Sequence, residues 1–261
     1  MRFSIPRLLS GALALSIVAP LSCQAQDDAW NIGIAVAARS PLYAGETSRL
    51  RPFPYIYHEG ERFYVKGPSL GWKFVATDTF SLSGFVAARF DGVDRDEFGR
   101  TALAEHGIDR DLLDNRGTGV DAGVSATVTS TAAGEFELEL RSDISGHSKG
   151  QDASLDYRYP LHAGRVTVIP GVGVTALSRR TADYYYGVLP AEAARGVPDY
   201  RPGSAVVPHA RLAVIAPFGE RWTGVVGVNI DVLPNELADS PLLEDDTRTV
   251  PAMFIAVARR F

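Results

Sequence analysis

Residues 135–144, EFELELRSDI, alternate between apolar and charged side chains at almost every step. Phe136, Leu138, Leu140 and Ile144 share one parity, while acidic and basic residues fill the other. Successive side chains of a β-strand point to opposite faces, so this stretch predicts a strand with one apolar and one charged face. The pattern fits both a soluble sandwich and an outer-membrane barrel, because either fold can cover the apolar face.

The same alternation recurs along the chain and predicts about twelve strands. They fall near residues 30–38, 51–58, 61–66, 69–76, 79–90, 118–129, 135–146, 149–160, 165–178, 205–216, 221–232 and 249–261. The segments between residues 51 and 76 are shorter than the ~9–11 residues that cross a bilayer. A count of ten strands therefore stays open.

The lengths of the connections separate the two folds. Long connections at 40–51, 91–117, 179–204 and 234–248 follow odd-numbered strands, and short turns such as HEGE, TDT and FGE follow even-numbered ones. Long extracellular loops opposite short periplasmic turns are typical of outer-membrane barrels, whereas a Greek-key sandwich has no reason to sort its loops. The sequence therefore predicts an all-β, antiparallel, up-and-down transmembrane barrel.

The first residues have the composition of a secretory signal peptide. Arg2 and Arg7 precede a short apolar run, and Cys23-Gln24-Ala25 is a plausible cleavage site. We expect residues 1–25 to be removed and residues 26–261 to form one barrel domain in the outer membrane of a Gram-negative bacterium. Acylation at Cys23 is the less favoured alternative, because Pro20 stands where a lipid-attachment site usually has Leu.

Composition excludes several kinds of site and partner. Without Arg2 and Arg7 the chain has 24 basic and 31 acidic residues, a formal net charge of −7, which argues against nucleic acid as a partner. Cys23 is the only cysteine, so a mature chain has neither disulfides nor cysteine metal ligands. No phosphate-binding loop or zinc motif is present, and we expect no cofactor.

Catalytic chemistry has little support in the sequence. His147 and Ser148 are the only adjacent histidine–serine pair, and neighbours in a strand point to opposite faces. The long loops contain many Asp and Arg residues, which are typical of a solvated surface. We therefore predict no catalytic residues and no enzymatic activity.

Strand parity also predicts a charged interior. Both signs occur in comparable numbers on the inward face, and charges away from bulk water persist when they are paired. We predict a lumen charge network that fills a narrow barrel and comprises Glu137, Glu139, Arg141, Asp156, Arg158, Arg211 and Asp231. The alternative is a water-filled lumen with unpaired charges, which would be a channel.

The last strand predicts contacts with lipid and with the assembly machinery. Met253, Ile255 and Val257 fall on the lipid face, and the strand ends at Phe261. A last strand ending in Phe resembles the C-terminal signal by which outer-membrane barrels are recognised for insertion. Arg259 departs from that pattern, because an aromatic is commoner there; near the interface its side chain can reach water.

Several stretches resemble the MipA/OmpV family of outer-membrane proteins. They are SPLYAGE (40–46), RPFPYIYHEGERFYV (51–65), GIDRDLLDNRGTGVDAGV (107–124), DYYYGVLPAEAARGVPDYRPGS (183–204) and LADSPLL (237–243). The resemblance implies a non-enzymatic barrel that acts as a scaffold between a lytic murein transglycosylase and a peptidoglycan synthase. The alternative is a narrow channel or a surface-binding adhesion barrel. The family implies no catalytic or contact residues.

The loop between residues 183 and 204 is rich in tyrosine. Tyr184, Tyr185, Tyr186 and Tyr200 are too many aromatics for a disordered segment. We expect this extracellular loop to be structured and to fold over the barrel mouth.

Overall fold

The structure is a computed structural model that describes residues 29–48 and 50–261. The predicted signal peptide, residues 1–25, and its cleavage site lie outside these ranges.

Twelve antiparallel strands make up most of the described chain. They are β1 Asn31–Arg39, β2 Arg51–Glu59, β3 Phe63–Lys66, β4 Ser69–Ala76, β5 Phe80–Arg89, β6 Gly119–Ser130, β7 Gly134–Asp143, β8 Gln151–Arg158, β9 Val166–Leu177, β10 Ala205–Phe218, β11 Trp222–Val232 and β12 Thr249–Arg260. After an interruption at Tyr159 and Pro160, β8 continues as Leu161–Ala163, which also pairs with β9. The short segments that left the count open are separate strands.

The strands close into a barrel. Each strand pairs with the next along the chain, and β12 pairs with β1 over the whole of β1, from Asn31 opposite Arg260 to Arg39 opposite Ala252. Beyond this ladder, the backbone N–H of Phe261 donates to the carbonyl of Trp30 at 2.9 Å. The predicted all-β, antiparallel barrel is confirmed, and its strand number is twelve.

The outer surface is apolar, as the alternation of the sequence requires. Along β12 the exposed side chains are Met253, Ile255 and Val257, and the residues between them are buried. Leu138 on β7 and Ile34 on β1 are exposed in the same way, at 47% and 61%. In water such a surface would be unstable, whereas in a bilayer it meets hydrocarbon.

Exposed aromatic side chains lie at the periplasmic end of the barrel. Trp30, Trp222, Phe218 and Phe261 are all exposed, and the rings of Phe218 and Trp222 stack with centroids 6.4 Å apart. Aromatic residues form belts at the membrane interface of outer-membrane barrels. These four residues therefore place the periplasmic boundary of the apolar band.

All helices of the described residues lie in the extracellular loops. Four are α-helical, α1 Arg100–Glu105, α2 Arg179–Tyr185, α3 Pro190–Ala194 and α4 Asn235–Ala238, and two are single 3-10 turns, Arg95–Glu97 and Arg110–Leu112. Within the described ranges, none of the helices has the length and apolar character needed to cross a membrane.

The two ends of the barrel differ in the length of their connections. We name the extracellular connections loop 1 (40–50), loop 2 (67–68), loop 3 (90–118), loop 4 (144–150), loop 5 (178–204) and loop 6 (233–248). The four long loops all lie at this end, as predicted. Loop 2 is the exception, since Gly67 and Pro68 join the short strands β3 and β4 in a tight turn.

The position of Phe261 yields a test of barrel assembly. We expect Phe261→Ala to lower the folded fraction in membranes about twofold or more, because an interface aromatic beside the closing strand pair is lost. Deletion of Phe261 should lower it further, since the bond to Trp30 is also removed. The measurement is the heat-modifiable band in cells that express each variant at a matched level.

Phe218→Ala is the matched control, because Phe218 is an exposed aromatic at the same end of the barrel. If it reduces assembly as much as Phe261→Ala, Phe261 acts only as a membrane anchor and its proposed role in recognition is wrong.

The orientation of the barrel can be tested at Gly196. This residue has a φ of +104°, and a Cβ placed on it would meet nothing within 4 Å. An epitope tag inserted after Gly196 should therefore leave the fold intact and bind antibody on intact cells. Binding only after the outer membrane is permeabilised would contradict the assigned topology.

Candidate functional site

Ion pairs between neighbouring strands cross one side of the lumen. Arg158 on β8 donates from Nη2 to Glu137 on β7 at 2.6 Å and also contacts Glu135. The strand register explains this contact, because Arg158 lies directly opposite Glu135 and Asp156 lies opposite Glu137. The structure thus brings together Glu137 and Arg158 of the predicted network, while Glu135 belongs to the same cluster.

A second cluster surrounds Asp156. Arg211 on β10 donates from Nη1 to Asp156 Oδ1 at 2.6 Å, and His209 Nε2 lies 2.8 Å from the same oxygen. Gly173 on β9 stands between these strands, and a Cβ there would come within 2.4 Å of the His209 ring. A glycine at this position therefore lets the side chains of β8 and β10 meet across β9.

The remaining residues of the predicted network are less connected. Glu139 pairs with Arg141 two residues along the same strand. Asp231 lies opposite His209 in the β10–β11 register. Its buried Oδ2 has no hydrogen-bond partner in the described part of the chain. Six of the seven predicted residues thus form direct ion pairs, in three separate groups. Among the described residues Asp231 forms no ion pair, but it hydrogen-bonds Asn229, which accepts from Arg211 Nε at 3.3 Å.

A further ion-pair cluster, which the predicted network did not include, lies at the extracellular end of the lumen. Arg89 on β5 binds three carboxylates, Asp91 at 3.2 Å, Asp121 at 2.8 Å and Asp152. Asp152 has the same parity as Asp156, so strand alternation alone would have placed it inside. Asp91 follows the end of β5, where alternation gives no information.

The opposite side of the lumen is apolar. Small and aromatic residues of β1, β2, β11 and β12 pack there into one cluster, which contains Ala35, Tyr55, Tyr57, Val225, Phe254, Ala256 and Ala258. Phe254 lies over Gly227, where a Cβ would come within 2.1 Å of its ring. The interior therefore combines this apolar wall with ion pairs elsewhere, including that of Glu59 with Lys66 and Lys73 at the periplasmic end of β2.

The long loops fold together above the barrel. Loops 1, 3, 5 and 6 and the adjoining strand ends contribute twenty buried apolar residues to a single cluster, which includes Leu42, Phe98, Leu103, Tyr185, Val188, Leu237 and Leu243. We call these four loops the extracellular cap. Their backbones are folded around a hydrophobic core of their own, so they are not independent flexible segments.

A buried ion pair joins loop 3 to loop 5 at the centre of this cap. The side chains of Arg116 and Glu192 are fully buried and form two hydrogen bonds, at 2.6 and 2.9 Å. The other three guanidinium N–H groups of Arg116 donate to the carbonyls of Tyr184, Asp114 and Gly187. Every donor of this arginine is used, so the desolvated charge is fully compensated.

Glu192 is satisfied to the same degree. Besides Arg116, it accepts hydrogen bonds from the backbone N–H groups of Asp114 and Leu189, both at 2.7 Å. Arg116 lies in the stretch 107–124 and Glu192 in the stretch 183–204, two of the segments that resemble the family. Sequence reasoning missed both residues, because nothing in the pattern distinguishes a buried loop charge from a solvated one.

Each of the four predicted loop tyrosines has a partner in the cap. Tyr184 accepts a bond from the N–H of Gly117 at 2.9 Å, and Tyr200 donates to the carbonyl of Glu236 at 3.0 Å. Tyr185 and Tyr186 are buried, and burial raises the pKa of Tyr186 well above its usual value. The four rings are therefore part of a packed structure.

Loop 1 is held to loops 3 and 6 by its backbone. The N–H of Ala44 donates to the carbonyl of Leu242 at 2.9 Å, and the N–H of Gly99 donates to the carbonyl of Ala44 at 2.8 Å. Gly45 has a φ of +66°, and a Cβ there would lie 2.6 Å from the Cα of Gly99. The glycine of SPLYAGE is required both by its backbone angle and by this close approach.

His106 connects loop 3 to loop 6 at the surface of the cap. Its Nδ1 lies 2.8 Å from the carbonyl oxygen of Pro241, and its Nε2 lies 3.0 Å from Asp245 Oδ1. Both partners are acceptors, so both ring nitrogens act as donors only when the imidazole is protonated. The bond to Pro241 and the contact with Asp245 raise the pKa of His106 above its ordinary value.

The polar residues around loop 4 organise a turn. The hydroxyl of Ser145 donates to Asp143 at 2.6 Å and lies 2.8 Å from Nδ1 of His147. Asp143 also accepts backbone N–H bonds from Ser145, Gly146, Ser148 and Lys149. The Ser145 proton is directed to the carboxylate, whereas a serine nucleophile gives its proton to the histidine. This arrangement matches a turn anchor and not a catalytic triad.

At the opposite end of the barrel the connections are short and most of the charged side chains are basic. We define the periplasmic rim as the turns 60–62, 77–79, 131–133, 164–165 and 219–221 together with residues 259–261. It carries five exposed arginines against three acidic residues, namely Arg62, Arg165, Arg221, Arg259 and Arg260 against Glu61, Asp78 and Glu220. In a chain of net charge −5, the rim has the opposite sign.

Comparison with known proteins places this architecture in a family. The family model described as "MltA-interacting protein MipA" matches residues 32–261. The MltA-interacting protein of Escherichia coli (strain K12) is 26% identical over 236 residues, which cover 89% of this chain and 91% of that protein. The outer membrane protein OmpV of Vibrio cholerae is 23% identical over 190 residues, covering 72% and 70%.

Among solved structures, the CymD monoaromatic hydrocarbon channel covers 90% of this chain and 89% of its own, at 10% identity. Its TM-score is 0.37.

The closed twelve-stranded barrel with its lipid-facing surface and the names of these relatives together place the protein in the bacterial outer membrane. Because the family match spans nearly the whole described barrel, the chain belongs to the MltA-interacting protein MipA family.

Proposed function

We propose that the protein is a non-enzymatic outer-membrane scaffold whose periplasmic rim binds a peptidoglycan-remodelling enzyme. The observation that carries this proposal is the contrast between the two ends of the barrel: the extracellular end is covered by a folded cap, while the other presents an exposed basic rim. A relative named MltA-interacting protein supports a lytic murein transglycosylase as the partner. A peptidoglycan synthase is the second partner that the family resemblance implies.

The chemistry of the rim indicates how such a partner would bind. The turns are short, so a partner meets a nearly flat ring of charge and not a deep pocket. Opposite charge on the partner would steer its approach and fix its orientation. We therefore expect an acidic surface on the bound enzyme and an interaction that weakens as salt increases.

Reversal of the rim charge tests the proposal. We expect Arg62→Glu, Arg165→Glu and Arg221→Glu together to lower capture of purified lytic transglycosylase by the detergent-solubilised barrel about tenfold. Each pair at an exposed interface contributes about 0.2–1 kcal/mol, and reversal adds repulsion. The three side chains are exposed and lie in turns, so the barrel should still fold.

The matched control reverses three exposed arginines at the other end, Arg179, Arg180 and Arg201. It changes the net charge equally but leaves the rim intact. Equal loss of capture in both triple variants would mean that total charge and not the rim controls binding. No capture by the unaltered barrel would refute the scaffold proposal.

A channel is the alternative function, and the cap determines how it would behave. Arg116 and Glu192 hold loops 3 and 5 together over the mouth. Removal of one partner of a buried ion pair costs about 3–5 kcal/mol, because the other charge stays buried and uncompensated. We expect Arg116→Met to loosen the cap and raise the single-channel conductance of reconstituted barrels above that of the unaltered protein.

Arg201→Met is the control for this measurement, because Arg201 is an exposed arginine of loop 5, the loop that carries Glu192, and pairs only with nearby Asp199 among the described residues. Large, stable conductance in the unaltered barrel would favour a channel over a closed scaffold. Unchanged conductance in folded Arg116→Met would show that the cap does not control the passage of ions through the lumen.

His106 makes part of the cap sensitive to pH. Its raised pKa means that the protonated form is favoured in the folded cap. The stabilisation is complete below the ordinary histidine pKa of about 6.5 and is lost as pH rises through the higher folded value. We expect trypsin to cleave loop 3 at exposed Arg100 faster at pH 8.5 than at pH 5.5, relative to His106→Asn at each pH. If the ratio of the cleavage rate of the unaltered protein to that of His106→Asn is the same at both pH values, this role of His106 is contradicted.

A further inference from the structure

The barrel wall is incomplete beside β2. This strand pairs with β1 from Arg51 to Tyr57, but it pairs with β3 only at Tyr57, His58 and Glu59. One further bond, from the N–H of Gly67 to the carbonyl of Ile56 at 2.9 Å, marks the top of the β3–β4 hairpin. Above it, the side of β2 that faces away from β1 has no strand partner in the described chain.

The residues on this open edge lack hydrogen-bond donors. In an antiparallel strand, the backbone N and O of alternate residues point to the same neighbour. Because the backbone carbonyl of Ile56 points toward β3, the backbone groups of Pro54 and Pro52 point to that side as well. Proline has no N–H. At positions 52 and 54 another residue would expose an unpaired N–H to lipid. Both positions are proline, which has none.

The open edge lies within the apolar band of the barrel. Pro54 stands opposite Ile34 on β1, and Pro52 stands opposite Val36. Those side chains are 61% and 39% exposed on the lipid-facing surface. The other side of the opening is formed by the β3–β4 turn and by the exposed apolar side chains of Leu70 and Val86. The opening therefore faces the outer half of the bilayer.

The inward side chains behind the opening are also apolar. Phe53 and Tyr55 are the inward residues of β2 at this height, and both pack on the apolar wall of the lumen. A strand from another protein would need donors from this edge, which the prolines do not supply. A hydrocarbon chain needs no hydrogen-bond donors, and its burial against Phe53 is favourable.

Ion-paired side chains of β2 and loop 3 lie above the opening. Arg51 at the top of β2 pairs with Glu97 of loop 3 at 3.1 Å. Two residues before Glu97, 44% of the Arg95 side chain is exposed, and its Nε forms an ion pair with Asp96 Oδ1 at 4.0 Å but no hydrogen bond among the described residues. A lipid whose acyl chain enters below them would have its polar head beside these charged groups.

From this geometry we infer that the opening between β2 and the β3–β4 hairpin is a lipid site, which holds one acyl chain of an outer-leaflet lipid against Phe53. The inference is independent of the proposed binding of an enzyme at the periplasmic rim.

Quenching by brominated lipid tests the site. Residues 26–261 contain no cysteine, so Phe53→Cys can be labelled with bimane at one position. The labelled barrel is reconstituted into vesicles of phosphatidylcholine with brominated acyl chains. Ile34→Cys on the lipid face gives full quenching. Ile215→Cys is the matched interior control, because it packs on the same apolar wall but lies between paired strands on both sides.

We expect the label at Phe53 to be quenched at least half as strongly as the label at Ile34, and several times more than the label at Ile215. Equal, weak quenching at Phe53 and Ile215 would show that the protein itself closes the opening and would overturn the inference. Efficient disulfide dimers of Pro54→Cys in the same vesicles would overturn it as well, since a second copy would then fill the site.

A heat-modifiable band confirms that each variant is folded. Should Phe53→Cys not assemble, Phe53→Trp and Ile215→Trp, in a chain whose Trp30, Trp72 and Trp222 are replaced by Phe, give the same comparison through tryptophan quenching.

Discussion

The pairing of backbone hydrogen bonds between strands is the constraint on which the whole structure depends. In hydrocarbon an unpaired peptide group costs several kcal/mol, so a spanning sheet must close. The β12–β1 ladder from Asn31 to Arg39 provides the closure, and the bond between Phe261 and Trp30 extends it to the periplasmic boundary. The exception at Pro52 and Pro54 follows the same rule, because an edge without N–H groups is the one that lipid tolerates best.

Closure of the barrel fixes the register of the strands, and the register fixes which side chains point inward and at what height. Pairing of the inward charges then determines the structure of the charged part of the lumen. Arg158 reaches Glu137 because the register sets β7 and β8 side by side, and Asp156 reaches Arg211 because Gly173 leaves room between them. Charges that lose water must gain partners. The charged part of the lumen is therefore cross-linked, while the apolar wall is packed with alanine and aromatic side chains and needs no partners.

Much of the fold could be predicted from the sequence, because period-two alternation reports directly on strand faces. It placed Met253, Ile255 and Val257 on the lipid surface and seven charged residues on the inner one. It failed where alternation stops. Arg116 and Glu192 belong to loops, in which a buried pair and a solvated pair look alike in sequence. The open edge at Pro52 was also missed, since it depends on how far β3 rises beside β2 and on the pairing of both strands.

The asymmetry between the two ends links this architecture to the proposed function. Above the membrane the chain uses four long loops, an apolar core and a fully satisfied ion pair to build the cap. Below the membrane it uses turns of two or three residues that bring arginines to the surface without a core. The packed cap resists rearrangement, because separating its buried ion pair would leave a charge buried without a partner. The exposed charges on the short periplasmic turns can contact a partner without refolding. Binding of a periplasmic enzyme would therefore need no change in the barrel, and the cap would keep the lumen closed while the rim is occupied.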